Sequence, residues 1–362
     1  MPVVRRPCKP ELVAVAALVY IPFLLSSPGR VSADSKQYLY LDPGAFLQRT
    51  VDLWDPSIGA GTVPHQHLGY AFPVAPLFWC LDRLGMPDWV AQRLWLGTLT
   101  FLAILGARWL FLQLGTGRSG ALVGALIYGF TPYQLAFTAR MSVLLMPWAA
   151  LPWIVGLTMR ATRDRDWRAP AALGLVLLLA GGINASSLLL VGVAPVLWLV
   201  LEALRGPLRP VLAAAARLAL IGLGVSLWWL VGLRIQGRYG LPVLQLTENL
   251  RTVAERSLPG DVLRGLGNWF FYGRDPSGFS LDQAEAYDSD ALVVALTYAI
   301  PVVGLVAALI VRWTHRAYFV LLVLVGTVIS VGAWPFDDPT PYGRAWKAFT
   351  TDTSLGLALR NS

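Results

Sequence analysis

A chain of 362 residues with 56% apolar content and a mean hydropathy of +0.58 is too apolar for a water-soluble globule and belongs among membrane proteins. Its formal charge of +8 comes from Lys and Arg dispersed between apolar runs, without a basic face or cluster, so nucleic acid is excluded as a partner. The only cysteines, Cys8 and Cys80, fall on opposite sides of the membrane in the topology read below, and neither a disulfide nor a thiolate metal site is expected.

In chain order, Arg5, Arg6 and Lys9 precede an apolar stretch from Leu12 to Leu25, with Val31-Ser32-Ala33 beyond it. These are the parts of a cleaved secretory signal. The apolar run is long for that and leads into a chain full of further runs, so it reads as the first span. Nine spans are predicted, at residues 11–28, 89–114, 119–138, 142–160, 169–183, 187–204, 211–233, 290–311 and 316–333. Leu68 to Leu81 is apolar but short and carries Pro73 and Pro76, which predicts an interfacial or re-entrant helix. Gly181-Gly182-Ile183-Asn184 splits one apolar stretch in two, because paired glycines and an amide disfavour continuous helix.

With the N-terminus in the cytoplasm, the inner segments hold 14 of the 29 Lys and Arg and 4 of the 21 Asp and Glu. That asymmetry obeys the positive-inside rule and puts the longer loops outside, at Gly29 to Asp88 and Arg234 to Asp290. The predicted organisation is therefore a polytopic, all-α membrane domain over 1–333, with outer loops at 29–88 and 234–290, and an outer tail over 334–362. The closing Arg360-Asn361-Ser362 is expected to be a cut within a longer chain.

Chemistry is expected on the outer side, where acids, amides and aromatics collect. The run Ser32 to Pro43 sets Asp34, Lys36 and Asp42 at a membrane boundary. Two carboxylates eight residues apart would stand about 80° apart on a helix, so spacing alone leaves a general base and a solvated loop both open. Lys36, Arg140 and Arg238 lie near outer span ends, placed either to hold a phosphate or to snorkel into headgroups. His65-Gln66-His67 resembles a metal pair but has no third ligand nearby, and hydrogen bonding of His65 and Gln66 to phosphate or sugar suits it better. Tyr38, Tyr40, Trp54, Tyr70 and the run Trp269 to Tyr272 fit an interfacial aromatic belt and a sugar platform equally. No phosphate-binding loop, dinucleotide fingerprint or nucleophile elbow is present, and few charges lie in the spans, against an ion-coupled transporter.

Several stretches together resemble one family: Asp34-Ser35-Lys36-Gln37-Tyr38-Leu39-Tyr40 with Asp42-Pro43, Leu53-Trp54-Asp55-Pro56, Val63-Pro64-His65-Gln66, Ser142 to Trp148, Gly181 to Asn184, Gln236 to Pro242 and Leu263 to Gly267. In order and spacing they are similar to the N-terminal membrane region of the AftD-type alpha-(1->3)-arabinofuranosyltransferases of mycobacteria and relatives. The resemblance implies a GT-C fold glycosyltransferase, multi-pass in the plasma membrane and acting on its outer side. It would use decaprenyl-phosphoryl-arabinose as donor, extend the arabinan of arabinogalactan or lipoarabinomannan, and need no cofactor or metal. It also implies Asp34 as catalytic base, further spans and outer carbohydrate-binding domains beyond this length, and a cytoplasmic acyl carrier protein as partner. On that reading Lys36, Arg140, Arg238 and His65 are expected at the donor phosphate and Tyr38, Trp54, Gln66, Trp269 and Tyr272 at the sugars. Asp42 is either a second acid or a loop cap. The rival readings are a GT-C transferase of another polyprenyl-phosphate sugar, such as mannose, and a glycolipid transporter or scaffold.

Overall fold

The computed structural model describes residues 9–34, 36–64, 67–138, 141–246, 248–276, 278–279 and 281–360. The chain divides into two compact units, one of Met1–Phe130 with Phe137–Pro242 and one of Thr131–Ala136 with Val243–Ser362. The described helices of the first unit begin with α1 (Lys9–Leu25), α2 (Tyr38–Leu41), α3 (Pro43–Thr50), α4 (His67–Tyr70), α5 (Val74–Arg83), α6 (Asp88–Gln113) and α7 (Arg118–Gly129). After α8 (Pro132–Thr138), which the division crosses, come α9 (Leu145–Asp164), α10 (Arg168–Ala180), α11 (Ala185–Arg205) and α12 (Leu208–Tyr239).

The first unit is built around α6 and α9, the helices with the most buried residues, with α1 and α7 against α6 and α10 and α11 against α9. In a bilayer, lipid tails are as apolar as leucine, so helices associate by close packing and small residues decide where they meet. Here α6 and α9 exchange tryptophans for glycines. Trp153 fills the space beside Gly106, and Trp109 the space beside Gly156, so that a Cβ on either glycine would lie 2.4 or 2.3 Å from the indole. The two indoles stack at 5.3 Å, and Trp153 Nε1 donates to the carbonyl of Leu102 at 3.0 Å. At one end of the bundle Glu11 of α1 pairs with Arg108 of α6 and, at 2.9 Å, with Arg118 of α7. These three residues, which charge counting places on one side of the membrane, therefore share one end of three helices.

Five of the described helical segments are long and apolar enough to cross a membrane: Asp88–Gln113, Ser142–Asp164, Ala185–Arg205, Leu208–Tyr239 and Ala291–Ile310. Shorter apolar helices occupy the other predicted positions. The predicted span 119–138 is two helices, because Pro132 has no N–H to continue the ladder and disfavours helical geometry at Thr131. Leu68 to Leu81, expected as one interfacial helix, is mostly covered by two, α4 and α5, each too short to span. The break expected at Gly181 to Asn184 is present. α10 ends at Ala180, and Asn184 caps α11 by accepting from the Ser187 amide at 2.8 Å.

That break also seats the loop between α1 and α6. A Cβ on Gly69 of α4 would stand 2.2 Å from the carbonyl oxygen of Gly182, so the two backbones touch without side chains between them.

In the second unit the described elements are α13 (Val243–Leu246), α14 (Leu250–Arg256), α15 (Pro259–Leu263), a 3₁₀ turn at Trp269–Tyr272, the antiparallel pair β1 (Arg274–Asp275) and β2 (Gly278–Phe279), and α16 (Asp282–Ser289). They continue with α17 (Ala291–Ile310), α18 (Arg316–Val331), α19 (Pro341–Asp352) and α20 (Ser354–Leu359). Arg264, buried, ties the loop to α17: it donates to Asp261 Oδ1 at 3.1 Å, the Tyr287 carbonyl at 2.6 Å and Thr297 Oγ1 at 2.9 Å. α17 has no buried residue and is apolar around its whole circumference, the character of a lipid-facing helix.

Gly69→Ala should lower the thermal midpoint in detergent, at a cost of about 1–3 kcal/mol, because the carbonyl it meets is backbone and has no rotamer to change. Gly192→Ala on α11, where a Cβ meets nothing within 4 Å, is the control and should be neutral or slightly stabilising. Equal midpoints for both would refute the close seating of α4.

Candidate active site

Residues 30–34, beyond the turn that follows α1, form neither helix nor strand and lie against the first turns of α6. Backbone outside helix and sheet lacks a ladder of its own, so its buried polar groups must be satisfied from elsewhere. Gln92 of α6 does this for Ser32: Oε1 accepts from the Ser32 amide at 2.9 Å and from its hydroxyl at 3.0 Å, and Nε2 donates to the Ser32 carbonyl at 2.9 Å. Arg93 beside it donates to Ser32 Oγ at 3.3 Å, to Gln92 Oε1 at 2.9 Å and to the Arg30 carbonyl at 3.1 Å. Both side chains are buried, at 1% and 6% exposure, which is why so many hydrogen bonds are needed there.

The carboxylate of Asp34 sits at the end of this clamped run and is half-buried. Oδ2 accepts from the Tyr40 hydroxyl at 2.6 Å and the Ser142 hydroxyl at 2.5 Å, and Oδ1 from the Ser142 amide at 3.1 Å. Ser142 opens the 3₁₀ turn that leads into α9, and its Oγ accepts from Trp95 Nε1 of α6 at 3.3 Å. Asp34 is thus held jointly by its own loop, through Tyr40, and by the entry to the two central helices. Tyr40 is 3% exposed, and its ring meets Phe78 edge-on at 4.9 Å. Burial, reinforced by the Asp34 charge, pushes the Tyr40 phenol well above its ordinary range, so it stays protonated and remains a donor.

The other predicted residues divide sharply. Asp42 caps α3, its Oδ1 accepting from the Ala45 amide at 2.9 Å with Pro43 in the first turn, which is the loop-capping role. Lys36 is half-buried with its ammonium 6.0 Å from the Tyr38 ring centre, and burial lowers its pKa below the usual lysine range. Tyr38 shares a hydrogen bond of 2.9 Å with His67 Nε2 and meets Phe46 edge-on at 5.0 Å. Trp54 is 55% exposed on the loop after α3, and Arg238 is exposed at the end of α12. Trp269 and Tyr272 belong to the second unit, where the Tyr272 hydroxyl donates to Asp261 at 2.8 Å. Arg140, His65 and Gln66 lie outside the described residues. Among the described residues no three of His, Cys, Asp or Glu gather as a metal-ligand set.

Gln92, Arg93, Trp95 and Ser142 are absent from the sequence-based list of site residues. The available signal was the pair Gln92-Arg93 inside an apolar span, since polar side chains at membrane depth are costly and mark functional positions.

The chain belongs to the family described as alpha-(1->3)-arabinofuranosyltransferase, N-terminal GT-C domain, whose sequence model matches residues 18–362. It is 30% identical over 355 residues to an alpha-(1->3)-arabinofuranosyltransferase of Mycolicibacterium smegmatis, covering 96% of this chain and 24% of that protein. It is also 30% identical over 359 residues to one of Mycobacterium tuberculosis, covering 97% of this chain and 25% of that one. The chain therefore spans about a quarter of the length of the curated relatives it matches. The fold is that of a cryo-EM structure of arabinofuranosyltransferase AftD from Mycobacteria, with a TM-score of 0.62 at 23% identity over 99% of this chain and 27% of that one. A mutant of the same enzyme gives 0.64 at 22% identity, over 96% and 30%.

Gln92→Ala should free Ser32 and raise amide hydrogen exchange at residues 30–34 at least about tenfold, the equivalent of one buried hydrogen bond of roughly 1.4 kcal/mol. Unchanged exchange there, read by mass spectrometry against the α11 peptides, would show that the clamp does not hold the run.

Proposed function

We propose that this chain is the catalytic membrane domain of an arabinofuranosyltransferase that moves arabinofuranose from decaprenyl-phosphoryl-arabinose to cell-wall arabinan with inversion. One observation carries the assignment of the base: the Asp34 carboxylate, half-exposed, is fixed from behind by Tyr40 and Ser142. In the reaction Asp34 takes the proton of the acceptor hydroxyl. The acceptor oxygen attacks the anomeric carbon from the face opposite the phosphate, and the carbon–oxygen bond to the phosphate breaks with its electron pair leaving on the lipid phosphate. Two hydroxyl donors and one amide on the carboxylate fix its direction, so no reorganisation is needed as the proton arrives.

The phosphate gains negative charge as it leaves, and cations near the loop stabilise it. Lys36, two residues from Asp34, is the first candidate, with Arg140, Arg238 and His65 as further ones. Trp54, Tyr38, Gln66, Trp269 and Tyr272 are proposed for the sugars, Tyr272 through its ring because its hydroxyl is committed to Asp261. Nine spans, a cytoplasmic N-terminus and an outward-facing site in the plasma membrane complete the reading, supported by the charge asymmetry of the loops.

In the full-length protein Asp34→Asn should lower kcat by about 10²–10⁴-fold, the worth of a general base, at unchanged thermal midpoint. Turnover within a few-fold of the parent would sink the assignment.

Lys36 supplies a pH test. Because burial depresses its pKa, the ammonium is lost at a lower pH than for a free lysine, so donor binding should weaken on the alkaline side before the ordinary lysine range of about 10.4 is reached. Lys36→Arg, which stays charged, should remove that alkaline limb while Lys36→Met should abolish the pH dependence together with most of the affinity. Donor-binding curves that coincide for parent and Lys36→Arg at every pH would remove Lys36 from the phosphate.

A further inference from the structure

The outer loop carries a second feature apart from Asp34. Where α3 ends, Ala45, Gln48, Arg49, Asp52, Trp54, Asp55 and Pro56 line an open groove of about 220 Å³. It runs along α3 from Ala45, one turn past the Asp42 cap, to the loop beyond the helix end.

Its walls are held in place. Asp55 and Thr62 exchange backbone hydrogen bonds of 2.8 and 3.0 Å, closing residues 55–62 into a small loop. Inside it the buried Asp55 carboxylate accepts from the Ser57 amide at 2.8 Å and the Ser57 hydroxyl at 2.5 Å, which hold it below the usual carboxylate range. Arg49 is fixed from α3 by the Ser57 hydroxyl at 2.5 Å and Asp55 at 3.6 Å. The indole of Trp54 rests on the backbone of Gly61, where a Cβ would lie 2.3 Å from the ring, and the backbone there has a φ of +97° that favours glycine. So Trp54 is backed on one side and open on the other, with 55% of it exposed.

We infer that this groove is a carbohydrate subsite, taking one neutral sugar ring of the acceptor glycan away from the hydroxyl that reacts. A sugar ring offers an apolar face and a rim of hydroxyls. The fixed indole matches the face, and the amide of Gln48, the carboxylate of Asp52 and the guanidinium of Arg49 match the rim. The space is roughly seven waters' share of liquid volume, comparable to one pentosyl ring. The lining sets two carboxylates, Asp52 and Asp55, against the one cation Arg49, which disfavours a phosphate headgroup and separates this groove from the donor site. The inference rests on the glycosyltransferase reading for the identity of the glycan, while binding is read without turnover.

The test uses the full-length protein in nanodiscs of zwitterionic lipid and a soluble arabinofuranosyl oligosaccharide, with a mannosyl oligosaccharide and inorganic phosphate as comparison probes. Saturation-transfer NMR and calorimetry give affinity. Trp54→Ala should weaken oligosaccharide binding about tenfold, Trp54→Phe should restore part of it, and Gln48→Ala should weaken it several-fold. Undiminished binding by Trp54→Ala with the protein folded, or a groove that takes phosphate and not oligosaccharide, would overturn the inference. Trp54-dependent binding of the mannosyl probe alone would keep the subsite and overturn the proposed sugar. Asp34→Asn is scored separately, by turnover, so failure of the base and failure of the groove are distinct results.

Discussion

The first unit depends on one requirement: a run outside helix and sheet must be laid against apolar helices without leaving its backbone unsatisfied. Gln92 meets it by pairing both the amide and the carbonyl of Ser32, as a neighbouring strand would, and Arg93 meets it by holding the carbonyl of Arg30. Each of these bonds is individually modest, but the alternative is a buried amide or carbonyl with no partner, at a cost of about 1–3 kcal/mol apiece. Once residues 30–32 are held, Asp34 has little freedom, and Tyr40 and Ser142 complete its orientation.

The same economy governs the helices beneath. Glycines on α6 and α9 each receive a tryptophan from the other, and Gly69 meets Gly182 backbone to backbone. The first contact fixes the central pair of helices, and the second fixes α4 under the loop. The loop therefore stands on two rigid supports, the entry of α6 and α9 for Asp34 and the break between α10 and α11 for α4.

Within that loop the two acids Asp34 and Asp42 have different physical situations. Asp42 spends a carboxylate oxygen on the start of α3, whereas Asp34 accepts from groups brought in by distant helices. α3, capped at one end by Asp42, leads at its other end to the Trp54 groove, so the proposed chemical and glycan-holding ends of the loop are joined by one short rigid element.

Composition and periodicity by themselves determined the membrane class, most of the long helices, the break at Gly181 to Asn184 and the reading of residues 68–81 as something other than a span, because apolar run length, proline and paired glycine act locally. They also placed Asp34 in the polar run that follows the first apolar stretch. Spacing along the chain left Asp34 and Asp42 equivalent, and only the tertiary structure separated them, since Ser142 lies 108 residues from Asp34 and Gln92 lies 60 from Ser32. The same holds for Tyr272, whose commitment to Asp261 depends on how the loop folds back, whereas the break at Phe130-Thr131 follows from the local effect of Pro132, which an apolar pattern alone does not show. A hydrogen bond between remote residues leaves no periodic trace, so the polar run holding Asp34 was legible in the sequence and the groups that hold its carboxylate were not.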